Sequence, residues 1–184
     1  MKDWTDGDIV RAIREGVSRD GRGLAIMPSA EFRHLSDEDV AALLAYLRSQ
    51  QAVEKTTPPP SLSFLGTMLL GSGQIGSSRQ EPVRNVTAPP RGVTVEYGKH
   101  LSDVSGCSSC HGPALDGQNV PPGPPPGPTL RLVKGWTAEQ FIQTMRTGVD
   151  PGGHQLSKDM PWLQYGQGTD DDLTALHAYL NSLP

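Results

Sequence analysis

Cysteine is nearly absent from this chain: two residues in 184, placed close together in Cys107-Ser108-Ser109-Cys110. So few cannot build a disulfide framework. Aromatic residues are scarce at 5%, and hydrophobic residues of all kinds reach only 35%. That is a lean supply for a core in a chain with 21 glycines and 17 prolines, and a large apolar cofactor would add buried surface that the side chains do not provide. No cluster of Lys and Arg appears, and the formal net charge is −4. Phosphate-backbone binding needs a concentrated basic patch, so no nucleic-acid partner is expected. The longest apolar stretch, Leu62–Leu70, is interrupted by Ser, Gly and Thr, and it falls short of the ~20 residues of a membrane span. Met1-Lys2-Asp3-Trp4 leads into an amphipathic pattern rather than the apolar core of a signal peptide. The chain as written reads as soluble, without a transmembrane span.

What the sequence does contain is an internal repeat. Residues 4–49 read like residues 136–182: Trp4-Thr5 matches Trp136-Thr137, Gly16-Val17 matches Gly148-Val149, Met27-Pro28 matches Met160-Pro161, and Ala45-Tyr46-Leu47 matches Ala178-Tyr179-Leu180. Each copy reads as helix, long loop, helix. The first helix opens at Thr5 or Thr137, the latter with Gln140 at capping-box spacing. Its apolar residues recur at helical spacing, Ile9, Val10, Ile13 in one copy and Phe141, Ile142, Met145 in the other. The second helix opens at Ser36 or Thr169, each followed by acids that suit the positive end of the helix dipole. Its expected stripe is Val40, Leu43, Leu44, Leu47 in one copy and Leu173, Leu176, Leu180 in the other. Ahead of the second copy only, residues 93–105 read as a further short helix, followed by Cys107–His111 and a Pro-rich loop from Val120 to Leu130. The domain expectation is therefore a partial domain at 1–50, a Pro/Gly/Ser-rich linker at 51–91 and a complete domain at 92–184, all of it α-helical. The patch Leu62–Leu70 is expected to be an ordered strap covering its own chain, or else a docking element.

Chemistry concentrates in Cys107-x-x-Cys110-His111, the spacing of c-type haem attachment. Two thiols one helical turn apart can form thioethers to the two vinyl groups of one porphyrin, and the adjacent imidazole then points at the iron. Two rivals share part of the pattern. A zinc site needs four ligands, so His100, His154 and His177 would have to converge without a second cysteine pair. A redox dithiol would sit between a strand and a helix, and no such pattern surrounds Cys107. For the opposite face of the iron, Met160 is the candidate, held by Pro161 in a polar loop where a core filler is less expected. His154 competes from the same loop. Met145 lies in the apolar stripe of a helix and is expected in the core.

Tyr97-Gly98, Cys107-Ser-Ser-Cys110-His111-Gly112, Gly127-Pro128-x-Leu130, Trp136-Thr137, Met160-Pro161-Trp162, Thr169-Asp-Asp-Asp-Leu173 and Ala178-Tyr179-Leu180 together resemble the class I cytochrome c domain, in the family's order, from Gly92 to the C-terminus. The resemblance implies an all-α class I cytochrome c fold with one covalent haem c and iron ligands His111 and Met160. It further implies that the Pro128 carbonyl accepts the ring N–H of His111, and that the helix around Gly98 crosses the terminal helix near Tyr179. The N-terminal copy, with Met27-Pro28 and no C-x-x-C-H before it, is similar to the back half of a second such domain, as in tandem dihaem cytochromes c. A second haem is expected only if the natural protein extends upstream; a vestigial half-domain is the other reading. Either way, residues 4–49 are expected to be marginally stable alone.

The functional expectation is single-electron transfer between respiratory-type partners: a dehydrogenase, a quinol-oxidising complex or a terminal oxidase. The protein would be a carrier rather than an enzyme, or a subunit of an oxidoreductase complex. The resemblance places it in the periplasm or otherwise outside the cytoplasm. The alternatives are a haem enzyme or gas sensor of peroxidase-like type, with a displaceable sixth ligand, and a non-haem interaction domain.

Overall fold

The computed structural model describes residues 3–24, 26–53, 55, 61, 63–72, 78–121 and 124–184. Parts of the expected linker (54, 56–60, 62 and 73–77) and of the Pro-rich loop (122–123) lie outside the described residues. The chain divides into two compact units, Met1–Thr87 and Ala88–Pro184. Both are helical, and among the described residues the only β pairings are two isolated bridges, Val17 with Gly23 and Val149 with Gln155.

In the first unit, α1 (Asp6–Glu15) is followed by α2 (Ser29–Phe32), α3 (Asp37–Ser49) and α4 (Phe64–Gly71). The second unit has α5 (Val95–Val104), α6 (Cys107–His111), a 3₁₀ turn at Leu130–Val133, α7 (Ala138–Thr147), α8 (Trp162–Tyr165) and α9 (Asp170–Ser182). The repeat is visible atom by atom in the helix ends. Thr5 and Asp8 close a reciprocal capping box on α1, as Thr137 and Gln140 do on α7. Both helices stop at a glycine in the left-handed region, Gly16 at φ 64° and Gly148 at φ 74°. From the last turn of α1, Arg14 reaches the Leu35 carbonyl (2.7 Å) and the Asp37 carboxylate (2.6 Å). From the last turn of α7, Arg146 reaches the Gly166 and Gly168 carbonyls (3.0 and 3.2 Å) and Asp170 (2.7 Å). Each arginine thus closes the long loop onto the start of the second long helix, itself capped by Ser36 or Thr169.

The copies differ at one instructive place. The residue after Met-Pro is Trp162 in the second unit, and its ring lies over Gly148, where an added Cβ would come within 2.5 Å of it. In the first unit that residue is Ser29, fully buried with its hydroxyl 3.4 Å from the Ala12 carbonyl. There the space over Gly16 is taken by the backbone of Ser78. The Gln80 N–H donates to the Glu15 carbonyl (2.9 Å), the Asp37 N–H donates to the Val86 carbonyl (2.8 Å), and Arg33 donates to the Gln80 side chain and the Glu81 carbonyl. Residues 78–86, expected as linker, are therefore a strap bonded across the first unit. The apolar patch expected in that role forms α4 instead. Ser63 caps it, none of its residues is buried, and Phe64 and Leu65 are 83% and 64% exposed. A nearly continuous apolar run has no period from which to read a buried face, and its serine cap, leucines and methionine favour helix.

The second unit is held by α5 against α9. Gly98 sits on the carbonyl of Ala175 beside Tyr179, closer than any Cβ would permit, and the Tyr97 hydroxyl donates to Asp172 (2.9 Å). Below that crossing, Phe141, Met145, Leu173, Leu176 and Leu180 form the core with Leu115 and Val133. The stripe expected on α9 is buried as read. On α3 only Val40 is buried: Leu43, Leu44 and Leu47 are half-buried, Ala42 is exposed and Tyr46 is 61% exposed. The face that α9 covers with α5 is open on α3.

These contacts set two expectations for stability. Gly98→Ala forces α5 off α9 and should lower the unfolding free energy by about 3 kcal/mol, the upper end for overpacking, while Gly23→Ala, which meets open space, should stay within about 0.5 kcal/mol; denaturant titration reads both. His177, buried on α9 and 3.1 Å from the Trp136 carbonyl, is held below the ordinary histidine pKa by burial. The unfolded chain takes up that proton near pH 6.5 and the folded chain resists it. Stability should therefore fall as pH drops below neutrality, and His177→Gln should flatten that dependence in pH-resolved thermal unfolding.

Candidate cofactor site

The C-x-x-C-H turn is set by its ends. Gly106, at φ 73°, precedes α6, and Gly112, at φ 79°, follows it; positive-φ glycines at both ends confine the helix to a single turn carrying Cys107, Cys110 and His111. Backbone bonds pin that turn to the following loop. The Gly117 N–H donates to the His111 carbonyl (2.8 Å), and the Gly127 N–H donates to the Cys110 carbonyl (2.7 Å).

His111 is buried, with Nδ1 2.6 Å from the carbonyl oxygen of Pro128. A carbonyl can only accept, so Nδ1 carries the hydrogen and Nε2 is the nitrogen left to coordinate. Gly127 makes this approach possible, since a Cβ there would lie 2.6 Å from ring atoms Nδ1 and Cε1.

The imidazole forms part of the wall of a cavity of about 530 Å³, within the ~300–1,000 Å³ range of cofactor sites. The cavity lies wholly in the second unit. Its walls come from α6, from Pro125–Leu130, from α7 and α9, and from the segment between α7 and α8. Cys107, Cys110, Pro128, Met160 and His154 all line it. Met160 is half-buried and packed on the core, with its carbonyl accepting the Trp162 N–H (2.8 Å) at the start of α8. His154 is exposed, in a turn pinned by the Asp150 side chain, which accepts its N–H (2.8 Å). Met145 is buried in the core, as its helical position implied. Burial pushes both thiols above the ordinary cysteine pKa. A working redox dithiol has at least one thiol shifted the other way. Among the described residues no three His, Cys, Asp or Glu side chains group to hold a metal ion, so His100, His154 and His177 do not converge with the cysteines into a zinc site.

These residues fit a haem. Two thiols and an imidazole share one turn, a thioether stands on a wall of the same cavity, and a glycine leaves room for the proximal ring. Reading the sequence missed Arg146, although its match to Arg14 in the repeat would have flagged it. It also missed Tyr165, whose hydroxyl donates to the Ser105 carbonyl (2.7 Å), a contact between segments too far apart for any local pattern.

An all-α unit built round a C-x-x-C-H turn and an apolar cavity is the architecture of a covalent haem-binding domain. Residues 95–184 match the Cytochrome c family model, and this part of the chain is a cytochrome c domain, a family whose members bind haem c covalently. Several curated proteins are similar to the chain. The alcohol dehydrogenase (quinone) cytochrome c subunit of Gluconacetobacter polyoxogenes is 30% identical over 98% of the chain and 44% of its own length. The fructose dehydrogenase cytochrome subunit of Gluconobacter japonicus is 27% identical over 66% of the chain and 27% of its own length. A diheme cytochrome c-type protein of Cereibacter sphaeroides is 25% identical over 98% of the chain and 66% of its own length. The chain thus spans less than half the length of the first two.

Gly127→Ala should turn the His111 ring off the Pro128 carbonyl. The haem-loaded variant is expected to lose low-spin character in its ferric absorption spectrum while keeping the covalent haem mass.

Proposed function

We propose that the protein carries single electrons through one haem c held by Cys107 and Cys110, with His111 and Met160 as axial ligands. The observation that carries this reading is the meeting of the attachment turn, the Pro128 carbonyl and Met160 around a single cavity. When bound, the haem supplies a reversible one-electron iron couple. Cys107 and Cys110 would hold it to α6 through thioethers. Pro128 fixes the tautomer and plane of His111, presenting Nε2 and making it a stronger donor. The Met160 thioether is a soft ligand that favours the reduced iron and raises the potential relative to a second imidazole. The apolar walls from α7 and α9 exclude water, which raises the cost of the extra charge on the oxidised form. Met160 is preferred to His154 because it is half-buried and braced by α8, whereas His154 is exposed.

The electron donor is proposed to be a dehydrogenase. Similar proteins are named as cytochrome subunits of fructose, alcohol and gluconate dehydrogenases. A quinol-oxidising complex is the other candidate donor, the acceptor is then a terminal oxidase, and the site of action is outside the cytoplasm. Residues 1–50 are read as the back half of a second domain of the same type. Three parallels with the second unit support this: the Met27 carbonyl accepts the Ser29 N–H (2.8 Å) as that of Met160 accepts from Trp162, Arg14 clamps the loop as Arg146 does, and both first helices end in a left-handed glycine.

Protein matured in an exporting host should show a covalent haem mass and a pyridine haemochrome spectrum, and replacing Cys107 and Cys110 by Ala should abolish both. The ferric form should show the weak sulfur-to-iron band near ~695 nm. Met160→Ala should remove that band, lower the potential and admit carbon monoxide, while Met27→Ala should leave the spectrum unchanged. A wild-type protein lacking the band and binding carbon monoxide tightly would point instead to a haem enzyme or gas sensor.

A further inference from the structure

Tyr165 is the last residue of α8, the one-turn helix that begins two residues after Met160. Its half-buried ring packs on the core, and its hydroxyl donates to the Ser105 carbonyl at 2.7 Å, across 60 residues of sequence. Ser105 caps the C-terminus of α5 and stands just before Gly106, the left-handed residue that starts the attachment turn. At the other end of α8, the Trp162 N–H is bonded to the Met160 carbonyl (2.8 Å). One rigid turn therefore connects the thioether segment to the segment carrying Cys107. Two more backbone bonds of the thioether segment run within the same half of the unit: Met160 N–H to the Ser157 carbonyl (3.1 Å) and Leu156 N–H to the Gly148 carbonyl (2.7 Å). Ser105, Cys107, Met160 and Tyr165 all line the one cavity.

The internal repeat supplies a comparison within the molecule. In the first unit the residue in register with Tyr165 is Phe32, at the end of α2. That copy keeps the arginine clamp, the capped helices and the Met-Pro pair. The ring is present in both copies, and the hydroxyl only at Tyr165.

We propose that Tyr165 is a positioning residue: its hydroxyl ties the Met160 segment to the attachment turn and sets how firmly the thioether stays on the iron. This rests on Met160 being the axial ligand. Tyr165→Phe keeps the ring and its packing and removes the hydroxyl that bonds Ser105, so the fold should survive. The loss weakens closure of the distal segment by the net worth of one hydrogen bond, roughly three- to tenfold in the closed-to-open ratio.

The test uses the full haem-loaded chain in four forms: wild type, Tyr165→Phe, Phe32→Tyr and Met160→Ala. Imidazole titration of the ferric protein and the temperature at which the ~695 nm band disappears are read beside global thermal unfolding. The expected result is tighter imidazole binding by Tyr165→Phe, by roughly three- to tenfold, and loss of its band at lower temperature, with Phe32→Tyr indistinguishable from wild type. Equal imidazole affinity and equal band loss in Tyr165→Phe and wild type would overturn the proposal, as would a lowered unfolding midpoint with no change in either readout, since that marks a residue that only packs. A wild type without the band, matching Met160→Ala in imidazole affinity, would overturn the axial-ligand reading itself and the role of Tyr165 with it.

Discussion

The hydrogen bond from His111 Nδ1 to the Pro128 carbonyl, 2.6 Å long, is the constraint around which the second unit is organised. It needs three things at once. The C-x-x-C-H turn must end where it does, which the positive-φ glycines at 106 and 112 secure. The following loop must return over the imidazole, which the Gly127 and Gly117 backbone bonds secure. The residue before Pro128 must have no side chain, because a Cβ would strike the ring. Once that contact is made, one face of the cavity is fixed, and the remaining elements need only supply its apolar walls.

The two units show the same sequence pattern under different demands. In the second, α5 lies on α9 and Trp162 fills the space over Gly148. In the first, the strap at 78–86 fills the corresponding space over Gly16, and α3 keeps an open face at Ala42 and Tyr46. The first unit thus keeps its capping box, arginine clamp and Met-Pro loop while its packing is completed from a different part of the chain. What the repeat preserves is local: helix ends, turns and the clamp. The long-range partners are what vary between the copies.

That division explains what was legible in the sequence. The long helices announced themselves through caps and a 3.6-residue period, and the turn Cys107–His111 through five adjacent residues of distinctive spacing. The short helices α2 and α8 did not, because four residues are too few to show a period. The strap was hidden because it acts through the Ser78 backbone, the Gln80 N–H and the Val86 carbonyl, and backbone groups carry no residue signature. The half-burial of Leu43, Leu44 and Leu47 was illegible for a related reason: a stripe tells which side of a helix is apolar, not whether anything covers it. Tyr165 reads as one more aromatic after a Met-Pro pair until its bond to a carbonyl 60 residues away is seen.

The strap has a consequence for the order in which the molecule is made. Residues 3–49 leave the ribosome well before the groups that close them, Ser78 to Val86, which emerge some thirty residues later. Between the two events the nascent chain must extrude the almost wholly apolar stretch of α4 beside a partly assembled helical pair. Vectorial synthesis therefore leaves the first unit waiting on its own downstream sequence.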